Sequence, residues 1–287
     1  MKTTVRYTFT WMRGQILGWG LGIAALGLII VPFYKVFMDR QEDFMQMVAG
    51  YPPEFLAFFG GDATTLMTPE GFLGMYGFAM LPVIVGIFTV IAGSGLLAGD
   101  EESGRLDLIL AYPVGRTRLF WGRTLAFAAA LAAILAIGWL GFSILLGSSG
   151  MGISWGEMAL PFLPVMAQGL VYGLMALLLS MLLPSRSLAA MLAGVVMVAS
   201  YFLTSMASLN QALARIAQFL PYHYFQGGSA LKGLNLEWLL GLLFASAVMA
   251  GLAWLLFLRR DIRLGGEGSW RLPVLRMKPH PNPPVWG

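Results

Sequence analysis

Between Gly99 and Arg123 the chain carries Asp100, Glu101, Glu102 and Asp107 together with Arg105, Arg116, Arg118 and Arg123. These eight stand among only 18 basic and 14 acidic residues in a chain of 287. Carboxylates set beside guanidiniums suit charge-matched docking of a soluble partner. Apolar runs flank the segment on both sides. A charged loop in that setting is presented at a membrane surface. The plainer reading is an amphipathic linker resting on lipid headgroups, and charge pattern alone does not separate linker from docking element.

The remaining candidates for chemistry are sparse. Ser200, Thr204 and Ser208 recur at i, i+4 and i+8, and Gln168 stands in another apolar run. A hydroxyl stripe of this kind lines a path or, more commonly, bonds to neighbouring helices. Gly14, Gly18 and Gly22 form a GxxxGxxxG run that permits close helix contact, either within one bundle, which is favoured, or along a seam between two copies. The chain has no cysteine, so disulfides, thiol catalysis and cysteine metal sites are excluded. His223 and His280 are its two histidines, too few for a histidine metal centre. There is no GxxxxGK[ST], so the chain is not itself a P-loop ATPase, and no HExxH or credibly placed GxSxG. Cofactors are expected to be none in this chain. The acids Asp39, Glu42, Asp43, Glu54, Asp62 and Glu70 read as a solvated loop rather than a metal site.

Local physics shapes the charged segment into a stub helix over about 100–112. Asp100 serves as N-cap, and Glu101 and Glu102 sit in the first turn, where the helix dipole favours anions. Glu101 and Arg105 are spaced i, i+4, while Leu106, Ile109 and Leu110 share one face. Pro113 stops the helix, and Thr117 caps the next one, starting at Arg118.

The elements that must hold these residues are membrane spans. Hydrophobic residues make up 58% of the chain and charged residues 11%, and the mean hydropathy is +0.75. Soluble domains carry roughly 25% charged residues, so this composition is that of an all-α polytopic membrane protein. Six runs are long enough to cross: about 15–37, 73–98, 120–146, 158–183, 187–208 and 237–258. Residues 1–13 mix Lys2, Arg6 and Arg13 with Val5, Phe9 and Trp11, the pattern of an interfacial helix leading into an uncleaved anchor. Pro82 kinks the second span. No Asp, Glu, Lys, Arg or His is expected deep within a span, although proton- and ion-coupled carriers usually need one. Any cargo is therefore expected to be apolar or amphiphilic. The stretch 209–236, with LPYHYFQGG in it, reads as short re-entrant or interfacial helices before the last span, with His223 a hydrogen-bonder there. With both termini in the cytoplasm, 14 of the Lys and Arg fall inside and 4 outside, and the charged segment lies in the cytoplasm. The spans form a single domain over 1–263, followed by a Pro/Gly-rich cytoplasmic tail over 264–287.

Two resemblances bear on function. Glu101-Glu102-x-x-Arg105 resembles the glutamate motif of CAAX-type intramembrane proteases, but the spacing is one residue short and the later histidines are missing. The stretch AGDEESGRLDLILAYPVGRTRLFWGR is similar to the segment between the second and third spans of ABC-2 type exporter permeases. The match falls on Glu101, Glu102, Gly104, Leu106, Leu110, Pro113, Arg116, Gly122 and Arg123. LPYHYFQGG resembles the Pro-aromatic segment such permeases carry outside before the last span.

That resemblance implies a half-size, six-span permease of the antibiotic- or multidrug-exporter kind. It would sit in the plasma or inner membrane with an N-terminal interfacial helix and a cytoplasmic coupling helix. It implies a dimer with a second copy or a paralogue, and two copies of a separate P-loop ATPase subunit that hold ATP and Mg. No nucleic-acid partner is implied. Glu101, Glu102, Gly104, Arg105, Leu106, Ile109, Leu110, Pro113 and Arg116 become the ATPase-coupling residues. Leu106, Ile109 and Leu110 are read as an apolar anchor and the charges as its rim. Gln168, Ser200, Thr204 and Ser208 become pathway or helix-packing residues. A non-transporting scaffold or sensor subunit, and a membrane-embedded enzyme, remain the alternatives.

Overall fold

A computed structural model describes residues 2–43, 46, 50, 67–104, 115–207 and 210–259. Among these residues all regular structure is helical. Six helical segments are long and apolar enough to cross a membrane: Arg13–Asp39, Pro69–Gly95, Arg116–Ser149, Trp155–Leu182, Arg186–Ser205 and Leu236–Arg259. They are called the first to sixth spans. The end where the first span begins is the proximal end, and the opposite end is distal.

Small residues decide which spans lie close. A methyl added at Gly141 would stand 2.3 Å from the Cα of Ala24, so the third span presses on the backbone of the first. Likewise a methyl at Gly93 would meet the carbonyl oxygen of Gly173 at 2.0 Å, which brings the second span against the fourth. The sixth span packs on the fourth, and the fifth packs on the second and fourth. Between them lies an aromatic core in which Phe78, Phe142 and Phe162 meet pairwise with ring centroids 5.4–5.6 Å apart. The glycines at 14, 18 and 22 behave differently. A methyl at any of them would meet nothing within 4 Å among the described residues, so the described helices do not make the packing within one bundle that was favoured for them.

The N-terminal helix, Lys2–Trp11, lies against the third span. Thr8 and Met12 are buried, while Tyr7 and Trp11 point away at 69% and 68% exposure. That division suits a helix lying in an interface.

The second span is composite, as Pro82 foretold. A short α-helix, Pro69–Phe72, runs into a π-helix, Leu73–Phe78. A bend at Ala79–Met80 follows, and the helix restarts over Leu81–Gly95 with Pro82 in its first turn. Proline is tolerated there because a first-turn N–H has no intrahelical partner to lose. The fourth span opens on a capping box: Ser154 Oγ accepts from the Glu157 N–H at 3.3 Å, and the Ser154 N–H donates to Glu157 Oε2 at 2.8 Å.

Short elements precede the sixth span, as the sequence suggested: an α-helix Gln211–Ala217 and 3-10 turns Pro221–Tyr224 and Gly227–Lys232. They belong to the distal end, where Lys232 pairs with Glu70 at 3.9 Å and Tyr34 Oη donates to the Met67 carbonyl at 3.3 Å.

Candidate functional site

The charged segment begins where the second span ends. Its helix, Ala98–Glu102, takes Leu97 as the N-cap residue, so Asp100 is not the cap. Asp100 instead lies in the first turn and forms an ion pair with Arg123 Nη2. Ser103 follows as C-cap, and Gly104 adopts φ +67, a left-handed conformation that glycine enters without steric cost. Residues 105–114 lie outside the described residues. The stub helix drawn over about 100–112 is thus described only to Glu102. Arg105, Leu106, Ile109, Leu110 and Pro113 also lie outside the described residues, as does the Glu101–Arg105 spacing. The third span starts at Arg116 with Gly115 as N-cap and no side-chain cap, so the Thr117 cap is not used.

Arg123 is the pivot of this end. It lies in the second turn of the third span and is 7% exposed, a buried charge near the span's end rather than deep within it. Its position near the proximal end of that span explains how it is tolerated. One nitrogen, Nη1, donates to the Leu96 carbonyl at 2.7 Å, and another pairs with Asp100. Leu96 is the C-cap of the preceding helix, where carbonyls lack intrahelical donors. A single guanidinium therefore neutralises the acid and satisfies the helix end. Its Nε has no acceptor among the described residues.

Glu102 joins the segment to the fifth span. Its Oε1 accepts from the Arg186 backbone N–H at 2.9 Å, and its Oε2 pairs with Arg186 Nε at 3.0 Å. Arg186 is the first residue of that helix, so the carboxylate sits where the helix dipole favours an anion. The expectation that Glu102 belongs to an outward-facing rim is thereby modified: its carboxylate is engaged within the chain. At 41% and 55% exposure the pair remains in reach of solvent. Arg116 Nη1 donates to the Leu258 carbonyl at 3.4 Å and touches the sixth span. Residues 97–104 are in this way fastened to the second, third and fifth spans, and the base of the third also reaches the sixth.

Of the residues read as pathway or helix-packing groups, Gln168 and Ser200 come together at the distal end. Gln168 and Ser200 are both fully buried. Gln168 Nε2 donates to the Pro221 carbonyl at 2.5 Å, and the Tyr222 N–H donates to Ser200 Oγ at 3.0 Å. Both side chains thus hold the Pro221–Tyr224 turn. Thr204 Oγ1 and Gln168 Oε1 have no partner among the described residues, and Ser208 lies outside them. His223, expected as a hydrogen-bonder, packs its ring on Tyr224 and Trp238 at 5.2 and 5.9 Å.

Two residues of consequence carry sequence signals not used above: Arg186 follows a serine that starts a helix, and Tyr222 follows a proline. No group of three or more His, Cys, Asp or Glu among the described residues is placed to hold a metal.

A comparison with curated proteins finds no match. A family model described as "ABC-2 family transporter protein" matches residues 17–262, which takes in the first span from Leu17, the other five spans, the charged segment and the distal turns. The chain belongs to this family: it is a multi-pass membrane component of an ABC transporter, a class of machine that works with an ATPase partner.

Proposed function

We propose that the chain is the permease of an ATP-driven exporter and moves a hydrophobic or amphiphilic molecule from the cytoplasm or inner leaflet to the outside. The observation that carries this reading is the fastening of residues 97–104 across three spans, through Asp100–Arg123 and Glu102–Arg186. A docking element must pass force into the spans, and a loop tethered only by its two chain ends would absorb it. The family match supports the same reading.

In this mechanism the proximal end faces the cytoplasm, with both termini, as the Lys and Arg distribution favours. The segment from Ala98 to Arg116 is the coupling element. Leu106, Ile109 and Leu110 anchor it in a groove of a separate P-loop ATPase, with Glu101, Arg105 and Arg116 around them. Glu101 is partly exposed and Arg116 half-buried at this end. Two ATPase subunits hold ATP and Mg and serve two permeases, either two copies of this chain or this chain and a paralogue. Closure of the ATPases moves the coupling segments together and exchanges inward for outward access. The open faces of Gly14, Gly18 and Gly22 support contact with a second permease. The predominantly neutral spans favour an apolar or amphiphilic cargo over a naked ion.

The test is a paired substitution, Leu106→Asp with Leu110→Asp. It should remove the ATPase from the purified complex while the permease stays in the membrane at its usual level. Undiminished co-purification would overturn the anchor.

A further inference from the structure

The second span breaks at one point, and that point is covered. Pro82 has no N–H to offer the residue four places earlier. The Val83 N–H turns to the Met80 carbonyl at 3.1 Å, and the Ile84 N–H goes to the same oxygen at 3.0 Å. The Ala79 carbonyl is thereby left without its usual helical donor. It accepts instead from the Tyr222 phenol at 2.6 Å, across 143 residues of sequence.

Tyr222 also bonds through its backbone. Its N–H donates to Ser200 Oγ on the fifth span, and the carbonyl before it, on Pro221, accepts from Gln168 on the fourth. Its ring stands edge-on to Tyr201 at 5.2 Å and lies 5.4 Å from Phe225. One residue therefore ties the broken second span to the fifth, on a turn that the fourth span also holds. These bonds are neutral, so they form and break without moving a charge through an apolar region. The π-helix beside the break gives the span a local irregularity of the kind that often accompanies function.

We propose that Tyr222 is a clasp that closes the distal end of the permease: while the phenol holds Ala79 the second and fifth spans stay together, and its release lets them part. The role of that parting as an exit for cargo rests on the transporter reading; the clasp itself does not.

The absence of cysteine makes the test clean. A single reporter, Ala79→Cys, is labelled with a membrane-impermeant maleimide in the full chain, reconstituted with and without its co-purified ATPase. Gly147→Cys, in the exposed turn at the distal end of the third span, serves as a control for access. Loss of one part-buried hydrogen bond corresponds to up to about a tenfold shift in an opening equilibrium. Tyr222→Phe should therefore speed labelling at position 79 by up to about tenfold and leave position 147 unchanged. Ser200→Ala, which loosens the other side of the clasp, should act in the same direction. In the complex with unmodified Tyr222, trapping nucleotide should change the rate at position 79.

Rates at position 79 that stay level in both variants and on trapping would overturn the clasp. If a hydrolysing ATPase is present in that case, the transporter reading survives. Faster labelling in Tyr222→Phe with no ATPase ever recovered would support the clasp and remove the transporter reading. Should Tyr222→Phe fail to accumulate, Ser200→Ala and nucleotide trapping decide the matter alone.

Discussion

The charged segment at the proximal end and the Pro221–Tyr224 turn at the distal end are held by different chemistry. The proximal end uses charge: Asp100 with Arg123, and Glu102 with Arg186. The distal turn uses neutral hydrogen bonds, from Gln168, Ser200 and Tyr222. The difference follows from surroundings. Near the surface an ion pair keeps part of its hydration and forms at modest cost, and salt screens it. A neutral bond partly shielded from water meets little competing solvent, so its loss leaves a polar group poorly satisfied. The proximal end is therefore suited to meeting a soluble partner, and the distal end to holding a closed position.

Within the proximal end the two ion pairs also differ. Arg123 is buried and satisfies a helix-end carbonyl as well as Asp100, whereas Glu102 and Arg186 are both well exposed. The comparison is broken most severely at Arg123. Arg123→Leu removes the ion pair to Asp100 and the donor to the Leu96 carbonyl and should cost about 3 kcal/mol, seen as a lower Tm in detergent and loss of monodisperse protein. Equal stability would show that the buried charge does not hold the corner.

A change of similar size is expected where the first span meets the third. Gly27→Val would drive a side chain into the backbone nitrogen and ring of Phe142, which a methyl already approaches at 2.6 and 2.4 Å. Overpacking of this kind costs about 1–3 kcal/mol. Gly18→Val, on the open face of the same helix, should leave the thermal stability of the isolated chain within about 0.5 kcal/mol of the parent. If the two variants melt alike, the assignment of packed and open faces is wrong.

Tyr222→Phe comes next. It leaves the Ala79 carbonyl without its donor and should cost about 1–2 kcal/mol by thermal unfolding. Burial pushes the Tyr222 phenol above its ordinary pKa. The neutral donor is the favoured form, and a raised folded pKa keeps its contribution whole below the unfolded value. The Ala79 bond should therefore persist unchanged up to about pH 10, the ordinary phenol value. A loss of the Tyr222-dependent part of stability between neutral pH and that point would contradict the buried position.

The smallest effect is at Glu102. Glu102→Gln should cost about 0.2–1 kcal/mol, and the deficit should shrink as salt rises. The gap between Glu102→Gln and Arg123→Leu is the quantity that sharpens the comparison of exposed with buried charge.

Much of the scaffold was legible in the sequence because a span is a local property. An apolar run of sufficient length is visible without knowing its neighbours, and so is Pro82 as a break. The charged segment was legible as a place but not as a set of contacts. Asp100 looks like a cap from its neighbours alone, yet it lies inside a helix whose cap residue is Leu97, because Arg123 across the corner fixes the acid. The partner of Glu102 stands 84 residues away and that of Tyr222 stands 143 away, and no spacing rule reaches so far. Gly14, Gly18 and Gly22 mark a surface by their pattern, but only packing shows that the described helices leave it open. Ser200 and Gln168 were recognised as polar groups in apolar spans, and their purpose became clear only with the turn they hold.

The family works with an ATPase partner, and we propose that for this chain the partner is a separate P-loop subunit. The most direct measurement is purification of the tagged chain in mild detergent after expression with its genomic neighbours, followed by mass spectrometry and an assay of nucleotide hydrolysis. A P-loop subunit recovered in stoichiometric amount, hydrolysing ATP, is the predicted result. Recovery of the chain without any nucleotide-binding partner, across the detergents tried, would contradict it.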